Sequence, residues 1–301
     1  MPKLIEWLSR PTPGMAAVLM AITALCWSGN FVVGRWAAGR MPPLTLSCLR
    51  WVLASVIMLA LSAPYLKRDW PLVRANKALM VLFALTGAGF FNALQYLALK
   101  FTTATSAAVI NSSAPVLIAL ACFVLFGDRV GGRQAVGIAV SLAGVLIVVG
   151  RGSLTALAGL GFNIGDVLML TAMLTASVYS AYMRKRPPMH PLTFAFVTFA
   201  ISGLANIPLM VGELGAGAHV EISAATVLAV AYVAIVPSVI AYLCFNRGLE
   251  ILGGAKAGVF LHLIPLFTSV IAMATLGEQP QLYHAAGFAL ILAGIWVTAR
   301  K

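Results

Sequence analysis

The chain has 301 residues, of which 61% are hydrophobic and only 9% charged. Soluble domains run at about 45–50% apolar and about 25% charged, so these proportions exclude a soluble enzyme, a secreted disulfide scaffold and a disordered protein, and leave a protein dissolved in a bilayer. The net charge of +12 then has to be placed along the membrane surfaces before any acidic partner is invoked.

Ten apolar runs long enough to cross a bilayer follow one another: 14–34, 44–64, 77–98, 105–126, 134–150, 164–183, 192–212, 223–245, 255–276 and 283–299. No ten-residue segments of alternating polarity support a lipid-facing barrel. The connections are short and carry turn residues, as at Met41-Pro42-Pro43, Gly131-Gly132 and Arg186-Pro187-Pro188. The predicted architecture is an all-α integral membrane protein of ten helices, its first run a retained helix and not a signal peptide. An even number of spans puts both termini on one side. If that side is the cytoplasm, only Arg35, Arg40, Lys100 and Arg151 lie outside. Arg50 lies within a span, and every other Lys and Arg lies inside. That bias predicts cytoplasmic termini and explains the basic charge without nucleic acid.

Residues 150 positions apart match. Pro115 falls on Pro265, Gly127-Asp128 on Gly277-Glu278, Gly137 on Gly287, and Leu142-Ala143-Gly144 on Leu292-Ala293-Gly294. Two five-helix repeats are predicted, 1–151 and 152–301. Five is odd, so the second enters the membrane the opposite way up. Such inverted repeats typify secondary transporters, with the site near the midplane between the halves.

Residues that interrupt helices at matching positions mark the predicted site. Pro115 and Pro265 lack the N–H that would pair with the carbonyls of Asn111 and Leu261, and are the predicted hinges. Asn111 and Ser112 precede the first proline, and His262 precedes the second. Gly87 and Pro237 interrupt spans three and eight, followed by Phe90, Phe91, Asn92 and Gln95 in one and by Ser238 and Tyr242 in the other. Spans one and six add Trp27, Asn30, Tyr179 and Tyr182. An aromatic-lined pocket with a few amides and hydroxyls suits a zwitterion with a bulky apolar side chain.

Ionisable groups at depth are scarce. Arg50 is expected to snorkel to the outer surface or to pair structurally. Asp166 is expected to complement a helix N-terminus, and Glu213 to be solvated. His262 is the one titratable group near the midplane. The four cysteines read as small buried hydrophobes. Trp36, Tyr65, Trp70 and Tyr283 read as interfacial belt residues. No span has a central Asp or Glu, which favours facilitated diffusion or exchange over obligatory proton antiport. There is no phosphate-binding loop, catalytic triad or metal-ligand spacing, so neither ATP hydrolysis, a cofactor, a metal nor an enzyme is expected.

Ala24-Leu25-Cys26-Trp27-Ser28-Gly29-Asn30, Leu49-Arg50-Trp51, and Ala114-Pro115 with Gly127-Asp128-Arg129 carry a resemblance that covers essentially the whole chain. The chain resembles the drug/metabolite transporter superfamily, EamA type, although Asp128 stands where that family usually has Glu. The resemblance implies a carrier of small metabolites in the bacterial inner membrane, working as a monomer or weak dimer. It is most similar to the amino-acid exporters of the family. The alternative is a multidrug or toxic-compound exporter coupled to protons. A nucleotide-sugar carrier would need more deep cations than Arg50 alone.

Overall fold

The computed structural model describes residues 12–129, 131–153, 163–252 and 260–299. Lys3, Arg10, Lys256, Arg300 and Lys301, used above to orient the chain, lie outside them. Among the described residues every regular element is helical.

Helix α1 spans Pro13–Ala37. It starts where Thr12 caps the Met15 N–H at 3.2 Å and a proline occupies the first turn. Helix α2 spans Pro43–Ala75. Helix α3, Lys77–Phe101, contains a π-helical turn at Ala84–Gly89. Helix α4 is broken into Ala104–Asn111 and Ala114–Phe126, bent by 46°. Helix α5 spans Gly132–Val149, α6 Ile164–Tyr182 and α7 Pro191–Gly215. Helix α8 comprises Ala224–Ile235, a second π turn at Val236–Ile240, and Ala241–Leu252. Helices α9, Leu263–Leu276, and α10, Leu282–Ala299, complete the described chain.

Among the described residues, six helices are long and apolar enough to cross a membrane: α1, α2, α3, α6, α7 and α8. The bent α4 pair makes a seventh. The apolar stretches Ala135–Val148, Leu263–Leu276 and Leu282–Val297 are shorter. Residues 255–259 of the ninth predicted run lie outside the described residues, and the turn at Leu261-His262 sets the start of α9. Helix α2 overruns its predicted end at residue 64 and continues through Pro64 and Pro71. Tertiary contacts hold the extension. Tyr65 stacks on His190 with ring centroids 3.6 Å apart, and Asp69 Oδ2 accepts the His190 N–H at 2.8 Å. The basic residues Lys67, Arg68 and Arg74, read as a connection, are therefore helical.

Repeat-related helices pair with reversed direction. Along α2 and α7, Thr45 meets Glu213, Trp51 meets Phe199 and Asp69 meets His190. Residue numbers rise on one helix as they fall on the other. In α5 and α10, a Cβ on Gly144 would stand 2.6 Å from Gly287 O, while one on Gly294 would collide with Gly137 O. These two contacts are exchanged by the 150-residue offset. The remaining pairs swap across the repeats. Helix α1 lies antiparallel to α8, with Trp27 bonded to Pro237 and Gly248 against Met20. Helix α3 lies antiparallel to α6, with Gly165 against Ala98 and Phe83 against Tyr179. Each repeat thus buries its first and third helices against the other.

Candidate functional site

The two π turns lie at equivalent places, around Gly87 and Pro237. Proline at 237 donates no backbone bond, and a glycine at 87 tolerates the close approach of the Tyr179 ring. A π turn displaces carbonyls from the regular ladder, and side chains from other helices take them up. Trp27 Nε1 donates to Pro237 O at 3.0 Å and Ser202 Oγ to Ala84 O at 2.9 Å. Within α8 itself, Ser238 Oγ donates to Val233 O at 2.8 Å. The second pair of interruptions falls at Ser112-Ser113 in α4 and at Leu261-His262 before α9. Pro115 and Pro265 sit just inside the helix that resumes. The chain breaks upstream of each proline because its ring crowds the carbonyl four residues back. Ser28 Oγ donates to Ile264 O at 3.0 Å and ties α1 to the resumed α9.

Arg50 occupies the point where these elements meet. It does not snorkel outward: the residue is 4% exposed and its guanidinium turns into the bundle. Nε donates to Ser238 Oγ at 2.7 Å. Nη1 donates to Asn30 Oδ1 at 2.9 Å, Asn92 Oδ1 at 2.8 Å and the Tyr96 hydroxyl at 2.8 Å. The Tyr96 hydroxyl in turn donates to Asn30 Oδ1 at 2.6 Å, and Gln95 Oε1 accepts from Asn30 Nδ2 at 3.4 Å. One cation thereby links α1, α2 and α3 of the first repeat to α8 of the second. The Trp51 ring lies 4.6 Å from the guanidinium carbon and packs tilted at 49° against Phe199, centroids 4.6 Å apart, and Phe199 meets Tyr242 at 5.6 Å. An aromatic ladder thus leads away from Arg50.

The structure brings Asn30, Asn92, Gln95 and Ser238 of the predicted site into this network, with Tyr242 at the end of the ladder. Trp27 stands beside it, 5.3 Å from Phe245. Tyr179 lies against the α3 π turn at Gly87 and packs on Phe83 at 5.5 Å, outside the Arg50 hydrogen bonds, while Tyr182 packs against Phe126 at 5.2 Å. Phe91 packs against the main core. Phe90 is 45% exposed on the outside of the bundle. Ser112 is buried and its hydroxyl returns to Ala108 O, while Asn111 ends the first half of α4 half-buried. His262 is half-buried, and its Nδ1 is sealed with no partner among the described residues. Arg50, read as snorkelling or structurally paired, and Tyr96, next to Gln95 in span three, complete this network. The predicted orientation held the signal: the start of span two and the ends of spans one and three share one membrane side, which puts residues 30, 50, 92 and 96 at similar depth.

Other acids hold the ends of the bundle. Glu213, expected in solvent, accepts the Leu44 and Thr45 N–H groups and the Thr45 hydroxyl, capping α2. Glu278 does the same for Ala104, Thr105 and the Thr105 hydroxyl at the start of α4. Both place a carboxylate at the positive end of a helix dipole from the other repeat. Asp166 does lie in the first turn of α6, as expected, but it is also fully buried and accepts from the Thr102 hydroxyl. Near the other end of α6, Asp128 pairs with Arg184 through two bonds of 3.1 and 2.6 Å. These bonds hold the Asp128 carboxyl below its ordinary pKa. Cys26 and Cys48 are buried; Cys122 and Cys244 are half-buried. Among the described residues no three His, Cys, Asp or Glu side chains are grouped to hold a metal.

The model of the EamA-like transporter family matches the chain twice, over residues 14–150 and 163–300. An uncharacterized transporter of Archaeoglobus fulgidus is 30% identical over 94% of this chain and 97% of its own length. A probable terminal-alkyne amino-acid exporter of Streptantibioticus cattleyicolor is 25% identical over 94% of this chain and 92% of its own. A solved crystal structure, 20% identical with a TM-score of 0.61, covers 96% of this chain and 97% of its own, and shares the fold. With both halves matched, the chain belongs to the EamA-like transporter family.

Proposed function

We propose that this transporter exports neutral and aromatic amino acids across the bacterial inner membrane by alternating access, as a facilitator or exchanger. The seven apolar spans plus α5, α9 and α10 make ten, with both termini cytoplasmic. The units 1–151 and 152–301 rock about Pro115 and Pro265. The observation that carries this reading is the pairing of equivalent helix interruptions with one buried polar network that joins both repeats. Irregular backbone at membrane depth is tolerated where it lines a route through the protein. The substrate is amphipathic: its polar end meets Asn30, Asn92, Gln95 and Ser238, and its apolar end meets Trp27 and Tyr242, with Tyr179, Tyr182, Phe91, Asn111, Ser112 and His262 on the path. Phe90, on the outer surface, falls away from that path. The amino-acid exporter among the relatives supports the substrate class.

Counterflow and net uptake of labelled amino acids into proteoliposomes, with and without an imposed pH gradient, test this. Saturable uptake of aromatic amino acids without a gradient is the expected result. Uptake only with the gradient overturns the facilitator, and movement of hydrophobic drugs but of no amino acid replaces the substrate class.

A further inference from the structure

We propose that Arg50 is the receptor for a single carboxylate on the transported molecule, and that its Nη2 amino group is the donor edge the carboxylate meets. The word "transported" rests on the function proposed above; the anion site rests on the Arg50 geometry alone.

A guanidinium has five N–H bonds. At Arg50, Nε and both Nη1 donors are taken by four neutral oxygens, on Ser238, Asn30, Asn92 and Tyr96. No described residue accepts from Nη2. Nor is Nη2 among the sealed, partnerless polar atoms, which include Asp166 Oδ2 and His262 Nδ1. The charge is also unbalanced. Asp69 pairs with Arg68 and Asp128 with Arg184, and no described carboxylate lies within 4.0 Å of the Arg50 nitrogens. A cation buried without a counter-ion is costly unless an anion joins it.

Three helices fix the guanidinium plane before any ligand arrives: α1 through Asn30, α3 through Asn92 and Tyr96, and α8 through Ser238. Trp51 covers its face at 4.6 Å. An anion therefore meets a donor that needs no reordering. The class follows from the count. A phosphate dianion calls for several cations, and Arg50 is the only Lys or Arg deep in the predicted spans. One fixed positive charge matches one carboxylate. The site is tied to the moving parts as well, since Ser238 belongs to the α8 π turn and Asn92 lies just beyond that of α3.

The test is binding to the purified full chain in detergent, followed by intrinsic tryptophan fluorescence and thermal shift. Four probes share one ring: phenylalanine, phenylacetate, phenylalaninamide and phenethylamine. Phenylalanine and phenylacetate should bind at least about tenfold more tightly than the two probes lacking a carboxylate, as a charge-assisted bond predicts. Arg50→Gln should abolish that difference. Asn92→Asp, which sets a fixed carboxylate against Nη1, should abolish it too while the protein stays monodisperse with unchanged circular dichroism. If Arg50→Gln fails to fold, Asn92→Asp and the wild-type probe series decide. Equal binding of acid and amide, a carboxylate preference that survives Asn92→Asp, or no binding of any carboxylate overturns the proposal. Phenylacetate bound in an Arg50-dependent way while no amino acid moves upholds the anion site and sinks the amino-acid reading. Amino-acid counterflow that accepts the amide equally does the reverse.

Discussion

Arg50 is kept at membrane depth by oxygens that carry no charge. Asn30 and Asn92 turn their amide carbonyls to it, and the Tyr96 hydroxyl both accepts from Nη1 and donates a hydrogen bond to Asn30 Oδ1. A hydroxyl in two such bonds has no replacement when removed. Tyr96→Phe should cost about 1–3 kcal/mol, read as a lower melting temperature in detergent. A melt unchanged from wild type would mean that the network adds nothing to stability. Phe90 teaches a related point. Consecutive helical residues are about 100° apart, so Phe90 and Asn92 point in nearly opposite directions, and a run read as one polar stretch divides between lipid and interior.

The helices were legible in the sequence to within a few residues where an apolar run ends in a turn signal. The run 164–183 became Ile164–Tyr182, and 192–212 became Pro191–Gly215. Gly127 and Gly277 close the helices before them at φ +68° and +66°, a backbone conformation glycine adopts without strain. Helix α2 runs past the end of its apolar run at residue 64, through Pro64 and Pro71, because docking on His190 holds the extension. The close crossing of α5 and α10 depends on missing side chains. A Cβ on Gly294 would stand 2.6 Å from Ser141 N, in backbone that has no room to give. Gly294→Ala should therefore destabilise by about 1–3 kcal/mol of overpacking, measured as loss of monodisperse protein on heating. An equally stable variant would show that the crossing is loose.

Across the whole molecule, the swapped pairs α1 with α8 and α3 with α6 leave neither repeat able to bury its own polar face. At the Asp128 end, the exposed pair with Arg184 joins the repeats, and Arg184 lies over the Phe126 ring at 4.4 Å. The sign of its pH dependence follows from the lowered Asp128 pKa. Its contribution is present above the ordinary carboxylate value of about 3.9 and is lost as the pH falls through the lower folded value. Arg184→Gln should thus open a small gap in melting temperature that closes only below that range. High salt should narrow the gap as well, because the pair is solvent-exposed. A gap that is insensitive to both would locate the effect in the packing of Arg184 on Phe126.

The sequence by itself determined that the chain is a membrane protein, where its helices run, that it repeats, and where its backbone is interrupted. Hydrophobic length, turn residues and proline are local properties, and each acts within a few residues of itself. Only the tertiary structure decided which interruptions face one another, that Glu213 and Glu278 cap helices of the opposite repeat, and that Arg50 is gripped by Asn30, Asn92, Tyr96 and Ser238. Those partners lie up to 188 residues apart. What joins them is the antiparallel pairing of the two repeats, which sets depth against depth and cannot be read from any single span.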